Sequence, residues 1–142
     1  MPLIKKIITM VLVIPSWADA FCFDEAGRTY GIDPRTLRVI AKHESGLNPG
    51  VISKNTNGSM DIGLMGINTV HFASGEAFQK MGLTPQMMLD PCTNVQAGAY
   101  LLKRKMLKYG PSWDAIGAYH SETPDKAYAY MVRIFNLAKT TP

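Results

Sequence analysis

The most informative segment of the sequence is Ile40-Ala41-Lys42-His43-Glu44-Ser45-Gly46-Leu47-Asn48-Pro49. It has the sequence of a helix end, because glycine and an Asn-Pro pair are typical of residues that terminate an α-helix. Four residues share one face of this helix at the spacing i, i+3, i+4 and i+7: Leu37, Ile40, Ala41 and Glu44. The first three are apolar, so Glu44 is either a surface carboxylate or an acid in a poorly solvated cleft. A poorly solvated cleft would raise the pKa of its carboxyl and keep a proton available for donation.

The first 20 residues have the features of a signal peptide. Lys5 and Lys6 precede an apolar run at 7–14, which is too short to span a bilayer as a mature helix. Ala18-Asp19-Ala20 has the small-x-small pattern of a signal peptidase site. We therefore expect cleavage after Ala20 and an exported domain at 21–142, with an uncleaved membrane anchor as the alternative.

Composition narrows the class of protein. Removing the first 20 of the 142 residues lowers the formal net charge from +4 to +3. This charge suits an anionic surface such as a cell wall and is too small to indicate nucleic-acid binding.

Cys22 and Cys92 form an even pair in an exported chain, so we expect one disulfide, with two free buried thiols as the alternative. We expect a monomer.

Several chemistries are excluded by the absence of their motifs. The sequence has no Gly-rich phosphate loop, no dinucleotide fingerprint and no G-x-S-x-G elbow. His43-Glu44 begins like a zinc-protease motif, but Leu47 stands where the second histidine ligand would be. The other two histidines, His71 and His120, have no ligand spacing either, so we expect no metal and no cofactor.

The remaining sequence predicts one mainly α domain with a small insert at 51–68, where Asn57-Gly58 marks a hairpin or an irregular loop. Helices are expected at 23–30, 34–45, 69–81, after Thr84-Pro85, along the apolar stripe 95–109, after Ser112 and after Pro124. In the last helix the residues expected to face inward are Tyr128, Met131, Val132 and Phe135. The tail from Lys139 is expected to fray.

Three ordered motifs resemble the signature of the soluble lytic transglycosylase family. They are Glu44-Ser45-Gly46-Leu47-Asn48-Pro49, the segment Asn57-Gly58-Ser59-x-Asp61-x-Gly63-Leu64-Met65-x-Ile67-Asn68, and Ala118-Tyr119. The resemblance covers nearly the whole exported domain and is greatest to small members that accompany type III and type IV secretion, conjugation and type IV pilus systems. It implies the goose-type lysozyme fold, a mainly α single domain with a small β-hairpin or loop insert.

The resemblance also implies an activity and a location. The substrate would be periplasmic peptidoglycan, cut between N-acetylmuramic acid and N-acetylglucosamine. Glu44 would protonate the glycosidic oxygen and then accept the proton of the muramoyl C6 hydroxyl, which closes a 1,6-anhydro ring. Tyr119 would orient Glu44, and Ser45 would contact the substrate or cap the helix end. Substrate contacts are expected from Ser45, Gly63, Leu64, Met65, Asn68 and His120.

A second carboxylate beside Glu44 would favour hydrolysis over closure of the 1,6-anhydro ring, because glycoside hydrolases normally use two carboxylates. Asp61 is the nearby acid in the sequence, and we expect it to shape the loop. Goose-type lysozymes carry an aspartate about where this chain has Asn68, which favours the non-hydrolytic route.

Two positions depart from the family motifs. Gly66 stands where glutamine usually follows Leu-Met, and Tyr119-His120-Ser121-Glu122 replaces the usual Tyr-Asn-Ala-Gly. The missing side chain at 66 is expected to weaken substrate positioning. Two alternatives therefore stand beside the transglycosylase hypothesis: a lysozyme-type hydrolase, and a weakly active wall-binding assembly protein.

Overall fold

A computed structural model describes residues 21–142 of the chain, so the predicted signal peptide at 1–20 lies outside the described residues. Residues 21–142 form a small sheet and six α-helices: α1 Phe23–Tyr30, α2 Pro34–Ser45, α3 Ala77–Lys80, α4 Pro91–Tyr109, α5 Trp113–His120 and α6 Pro124–Thr140. The strands are β1 Ile52–Lys54, β2 Met60–Ile62 and β3 Ile67–Asn68. This mainly helical architecture with a small antiparallel sheet confirms the predicted mainly α fold class. Within 21–142 no helix is both long and apolar enough to cross a bilayer.

Helix α2 lies at the centre of the domain and packs on α1, α4 and α6. The Asp33 side chain caps its first turn by accepting a hydrogen bond from the Arg35 N–H. Leu37, Ile40 and Ala41 are fully buried, so the predicted apolar face is the core face. Gly46 ends the helix, and Glu44 is thereby placed in its last turn on the core side.

The insert is an antiparallel sheet with the order β1-β2-β3. Ile52 pairs with Ile62, and Asp61 pairs with Asn68. The sequence predicted the first hairpin, whereas the third strand was not anticipated because it is only two residues long. Cys22 and Cys92 form the expected disulfide, which joins the start of α1 to the first turn of α4.

Three predicted features of the helices need correction. The predicted helix at 69–81 is a 3-10 turn, Thr69–Phe72, followed by the short α3, because the turn at Ser74-Gly75 interrupts the run. In α6 the buried side chains are Tyr130 and Ile134, while Tyr128 and Phe135 are 67% and 43% exposed.

The third correction concerns the C-terminal tail, which is docked. Arg35 donates to the carbonyl oxygens of Ala138 at 2.7 Å and Thr141 at 2.8 Å, and Lys42 donates to the Thr141 hydroxyl at 3.3 Å. Cations at a helix C-terminus are favourable because the last carbonyls have no partners within the helix. The end of α6 is therefore fixed to α2, the helix that carries Glu44.

A fully buried Asn94 in α4 holds the loop between β2 and β3. Its amide donates to the carbonyl oxygens of Ile62 and Met88, at 2.8 and 2.9 Å, and its Oδ1 accepts from the Met65 N–H at 2.8 Å. These bonds satisfy three backbone groups that would otherwise be buried without partners.

Removing this amide should be costly. We expect Asn94→Ala to lower the free energy of unfolding by about 3 kcal/mol or more, because three buried backbone groups lose their partners together. Urea denaturation measures the change. Asn136→Ala, at an exposed position of α6, is the matched control and should stay within about 0.5 kcal/mol of the wild type. A loss below about 1 kcal/mol for Asn94→Ala would show that water or rearranged backbone replaces these bonds.

Candidate active site

The carboxyl of Glu44 lies half-buried at the C-terminal end of α2. Its Oε1 accepts a hydrogen bond of 2.6 Å from the hydroxyl of Tyr130, a side chain of α6 that is almost completely buried. Because the Tyr130 proton occupies Oε1, a proton carried by the carboxyl itself resides on Oε2. Glu44 is therefore an oriented acid with one oxygen fixed and the other available.

Burial controls the protonation of Glu44. Loss of water around the carboxyl raises its pKa from the ordinary 4.5 to about 7. The hydrogen bond from Tyr130 and the positive charge of Arg133 oppose this change, and the negative charge of Asp61 adds to it. A substantial fraction of the carboxyl is consequently protonated near neutral pH, which suits a general acid.

Tyr130 is packed between two histidine rings. The ring of His120, at the end of α5, stacks parallel to it, with centroids 4.8 Å apart and an interplanar angle of 3°. The ring of His43, next to Glu44 in α2, meets it edge-on at 5.2 Å. His120 is an exposed residue whose ring contacts Tyr130, and its contact with substrate stays a prediction.

The tyrosine expected to orient Glu44 was Tyr119, and this expectation is wrong. The Tyr119 hydroxyl donates to the carbonyl oxygen of Met65 at 2.8 Å, while Tyr130 supplies the bond to Glu44. Burial together with the charges of Glu44 and Asp61 raises the pKa of Tyr119, so it stays a neutral donor. Tyr119 therefore fixes the loop that faces Glu44.

Tyr130 was not predicted as a site residue, although the sequence contains a signal for it. One face of the last helix contains Ala127, Tyr130 and Ile134, which are spaced i, i+3 and i+7. This spacing defines a helix face as well as the spacing of the residues that were expected to face inward. Gly117 allows α5 and this face of α6 to approach each other closely, since a Cβ added at Gly117 would lie 2.6 Å from the Ala127 carbonyl oxygen. The close crossing of α5 and α6 brings His120 and Tyr130 together.

The predicted sugar-lining role of Leu64 and Met65 is also wrong. Both side chains are fully buried in the core, so neither can contact a ligand. Their carbonyl oxygens instead accept hydrogen bonds from site residues: Ser45 Oγ donates to Leu64 at 2.8 Å, and Tyr119 donates to Met65. Ser45 Oγ also lies 3.0 Å from the Ala41 carbonyl oxygen, so it links the end of α2 to the loop.

Gly63 was expected at the ligand and is found in the packing of the loop. Its N–H donates to the Val51 carbonyl oxygen at 2.8 Å, its carbonyl accepts from the Gly66 N–H at 3.2 Å, and its Cα faces the Asn94 amide and the Met88 carbonyl. Its backbone groups are thus occupied within the protein.

Asp61 and Asn68 form a polar network at the sheet. Asp61 Oδ1 accepts from the Asn68 amide at 2.7 Å, and Asp61 Oδ2 accepts from the Asn55 amide at 3.0 Å. Both amides also lie 3.1 Å from Ser59 Oγ. Asp61 shapes the sheet, as the sequence predicted, and Asn68 orients this carboxylate instead of projecting toward a ligand.

Gly66 lies directly against the acid. It has φ +61°, in the left-handed region, and a Cβ added there would lie 3.0 Å from Glu44 Oε2. The space that a side chain at 66 would need is therefore filled by the Glu44 carboxyl.

In the described part of the chain, neither a cluster of metal ligands nor the groove beside α5 and α6 provides a different location for the site. Among residues 21–142, no three His, Cys, Asp or Glu side chains lie together as a metal site would require. A groove of about 330 Å³ between α5 and α6 contains Trp113 and Tyr128 in its lining, but Glu44 is not among its lining residues. The assignment of the site to Glu44 rests on the contacts of its carboxyl.

Comparison with known proteins defines the class. Residues 21–127 match the Transglycosylase SLT domain family, and the chain belongs to this lysozyme-like family. The match ends before Tyr130.

Individual relatives are similar over most of the chain. Protein IpgF of Shigella flexneri is 37% identical over 123 residues, which cover 86% of this chain and 79% of that protein. Invasion protein IagB of Salmonella typhimurium is 39% identical over 121 residues, 84% of this chain and 72% of its own. The X polypeptide of Escherichia coli is 40% identical over 103 residues, 72% of this chain and 59% of its own.

The raised pKa of Glu44 has a consequence for stability. Below pH 4.5 the carboxyl is protonated in the folded and unfolded chains alike. Between pH 4.5 and about 7 the unfolded chain releases a proton that the folded chain retains. The free energy of unfolding should therefore fall, by on the order of 3 kcal/mol over this interval.

Glu44→Gln should lack this loss, because glutamine does not titrate. The stability of the variant relative to the wild type should rise from pH 4.5 to about 7 and then stay level. Urea denaturation at a series of pH values measures both curves. Parallel curves would show that Glu44 is well solvated in the folded protein.

Proposed function

We propose that the protein is a peptidoglycan lytic transglycosylase that cleaves the bond between N-acetylmuramic acid and N-acetylglucosamine and forms a 1,6-anhydro product. The observation that carries the proposal is Glu44, a single acid held by Tyr130 with a pKa raised to about 7, in a chain of the Transglycosylase SLT domain family. An acid of which a substantial fraction is protonated at neutral pH can donate a proton to a leaving oxygen there.

One carboxyl can perform both proton transfers. The Oε2 proton of Glu44 would move to the glycosidic oxygen as the bond to the muramoyl C1 breaks and positive charge develops on the sugar ring. The resulting carboxylate would accept the proton of the muramoyl C6 hydroxyl as that oxygen bonds to C1. The acid regains its proton, and no water is consumed.

The arrangement of Asp61 favours this route over hydrolysis. Both of its carboxylate oxygens accept hydrogen bonds from side-chain amides, of Asn68 and Asn55. A hydrolase needs a second carboxylate that is free to act on water or on C1. The negative charge of Asp61 is near enough to raise the pKa of Glu44, and this observation favours the alternative, a lysozyme-type hydrolase that uses Asp61.

We propose further that the protein acts in the periplasm and opens the wall for an envelope-spanning secretion, conjugation or pilus apparatus. The export features of residues 1–20 support the location. The motif resemblance to small members that accompany such systems supports the role, and one similar protein, IagB, is named an invasion protein.

Digestion of purified peptidoglycan tests the reaction. We expect soluble fragments with 1,6-anhydro ends by mass spectrometry, and we expect Glu44→Gln to abolish their release because amide nitrogen cannot donate and regain the proton. Fragments with reducing ends would establish the hydrolase instead. Binding to insoluble wall without release, equal in both variants, would establish a wall-binding assembly protein.

Substitution of Gly66 tests the geometry around the acid. Gly66→Gln introduces the residue usual in the family, yet its Cβ would crowd Glu44 Oε2 and its backbone would be strained at φ +61°. We expect the rate of fragment release to fall about tenfold or more, because a displaced acid transfers its proton poorly. Gly58→Gln, at an exposed turn of similar φ, is the control and should leave the rate unchanged. Faster release by Gly66→Gln would restore the sequence-based expectation that this chain lacks a useful polar contact.

A further inference from the structure

We propose that His43 and His120 are positioning residues: their rings hold the Tyr130 phenol in the orientation that delivers its hydroxyl to Oε1 of Glu44. The inference rests on the proposed function for its importance in catalysis, while the contacts themselves are structural. The family resemblance implies no role for His43, and for His120 it implies a contact with substrate instead of a contact with Tyr130.

The first observation is the geometry of the three rings. His120 covers one face of Tyr130 in parallel at 4.8 Å, and His43 meets the ring nearly perpendicular to it at 5.2 Å. A face contact and an edge contact together restrict the two torsions of a tyrosine side chain. The surrounding core also confines Tyr130, which is 1% exposed, and the two histidine rings define the plane that its ring adopts there.

The second observation is that the rings come from three helices. His43 belongs to α2, His120 to α5 and Tyr130 to α6, and Glu44 follows His43 in α2. The backbone of α2 therefore places both the acid and one of the two histidines. Any movement of α5 or α6 relative to α2 would disturb the ring stack and the hydrogen bond together.

The third observation concerns charge. Partial burial, and after it the charge of Arg133 in α6, lowers the pKa of both histidines. His120 adds to the lowering at His43. At His120 the pKa is raised by Asp61 of the sheet and lowered further by Lys126. Both imidazoles are accordingly neutral at neutral pH, so the stack on Tyr130 brings no extra cation to the acid. The pair can orient the phenol without ionising Glu44.

The test follows the titration of Glu44 itself. In protein labelled with ¹³C-glutamate, the Glu44 carboxyl carbon signal, assigned by its absence in Glu44→Gln, is measured against pH by NMR. The hydrogen bond from Tyr130 lowers the pKa of Glu44. His120→Ala should weaken this bond and raise the midpoint by roughly half to one pH unit.

Matched variants separate ring packing from other roles. His120→Phe restores a flat ring and should return the midpoint close to that of the wild type. His43→Ala should raise the midpoint as well, and the double alanine variant should raise it most. His71→Ala, which removes a ring that packs on Phe78, is the control and should have no effect.

The same variants can be followed by activity. In His120→Ala the plateau of kcat should fall roughly tenfold, and the loss of activity at high pH should move upward by the same amount as the midpoint. A merely structural role would lower the whole profile without moving it.

The proposal is overturned if His120→Ala leaves the midpoint unchanged, if it lowers the midpoint by admitting water to Glu44, or if His120→Phe behaves like His120→Ala. The titration needs no substrate. Failure of the wild type to release wall fragments would therefore refute the proposed function and leave this test of the histidines intact.

Discussion

The hydrogen bond from Tyr130 to Oε1 of Glu44 is the contact on which the chemistry of this fold depends. Burial at the end of an apolar helix face favours the protonated acid, and a neutral phenol donor offsets that preference only in part. A cationic donor in the same place would ionise the carboxyl and remove the proton that the proposed general acid donates. The site therefore binds the acid firmly enough to orient it and too weakly to ionise it.

The rest of the domain keeps distant segments in register around that bond. Glu44 and Tyr130 are 86 residues apart in sequence, and the loop containing Gly66 completes the enclosure. Asn94 fixes this loop from α4, and Arg35 fixes the end of α6 to α2. Asn94 and Arg35 both bond to backbone groups. The geometry of the site therefore depends more on the backbone path than on the identity of the apolar side chains in the core.

Local signals in the sequence were sufficient wherever the structure is decided locally. The caps at Asp33 and Ser112, the disulfide and the core face of α2 were all predictable, and so was Glu44 as the acid at the end of that face. The face of α6 was not predictable, because two stripes of similar apolarity compete and only contact with α2 and α5 selects the one containing Tyr130. The side-chain directions of Leu64 and Met65 were missed for a related reason: in an irregular loop neither helical nor strand periodicity applies.

The two departures from the family motifs lie on opposite sides of the same carboxyl. Gly66 contacts the side of Oε2, where glutamine is usual, and His120 acts on the side of Oε1 through Tyr130, where asparagine is usual. Each change replaces a polar amide with packing, by a backbone Cα in one case and by a stacked ring in the other. Fewer hydrogen-bond donors near Glu44 leave its proton more firmly in place. In the proposed mechanism one carboxyl makes both proton transfers, and a proton held in this way is available for the first of them.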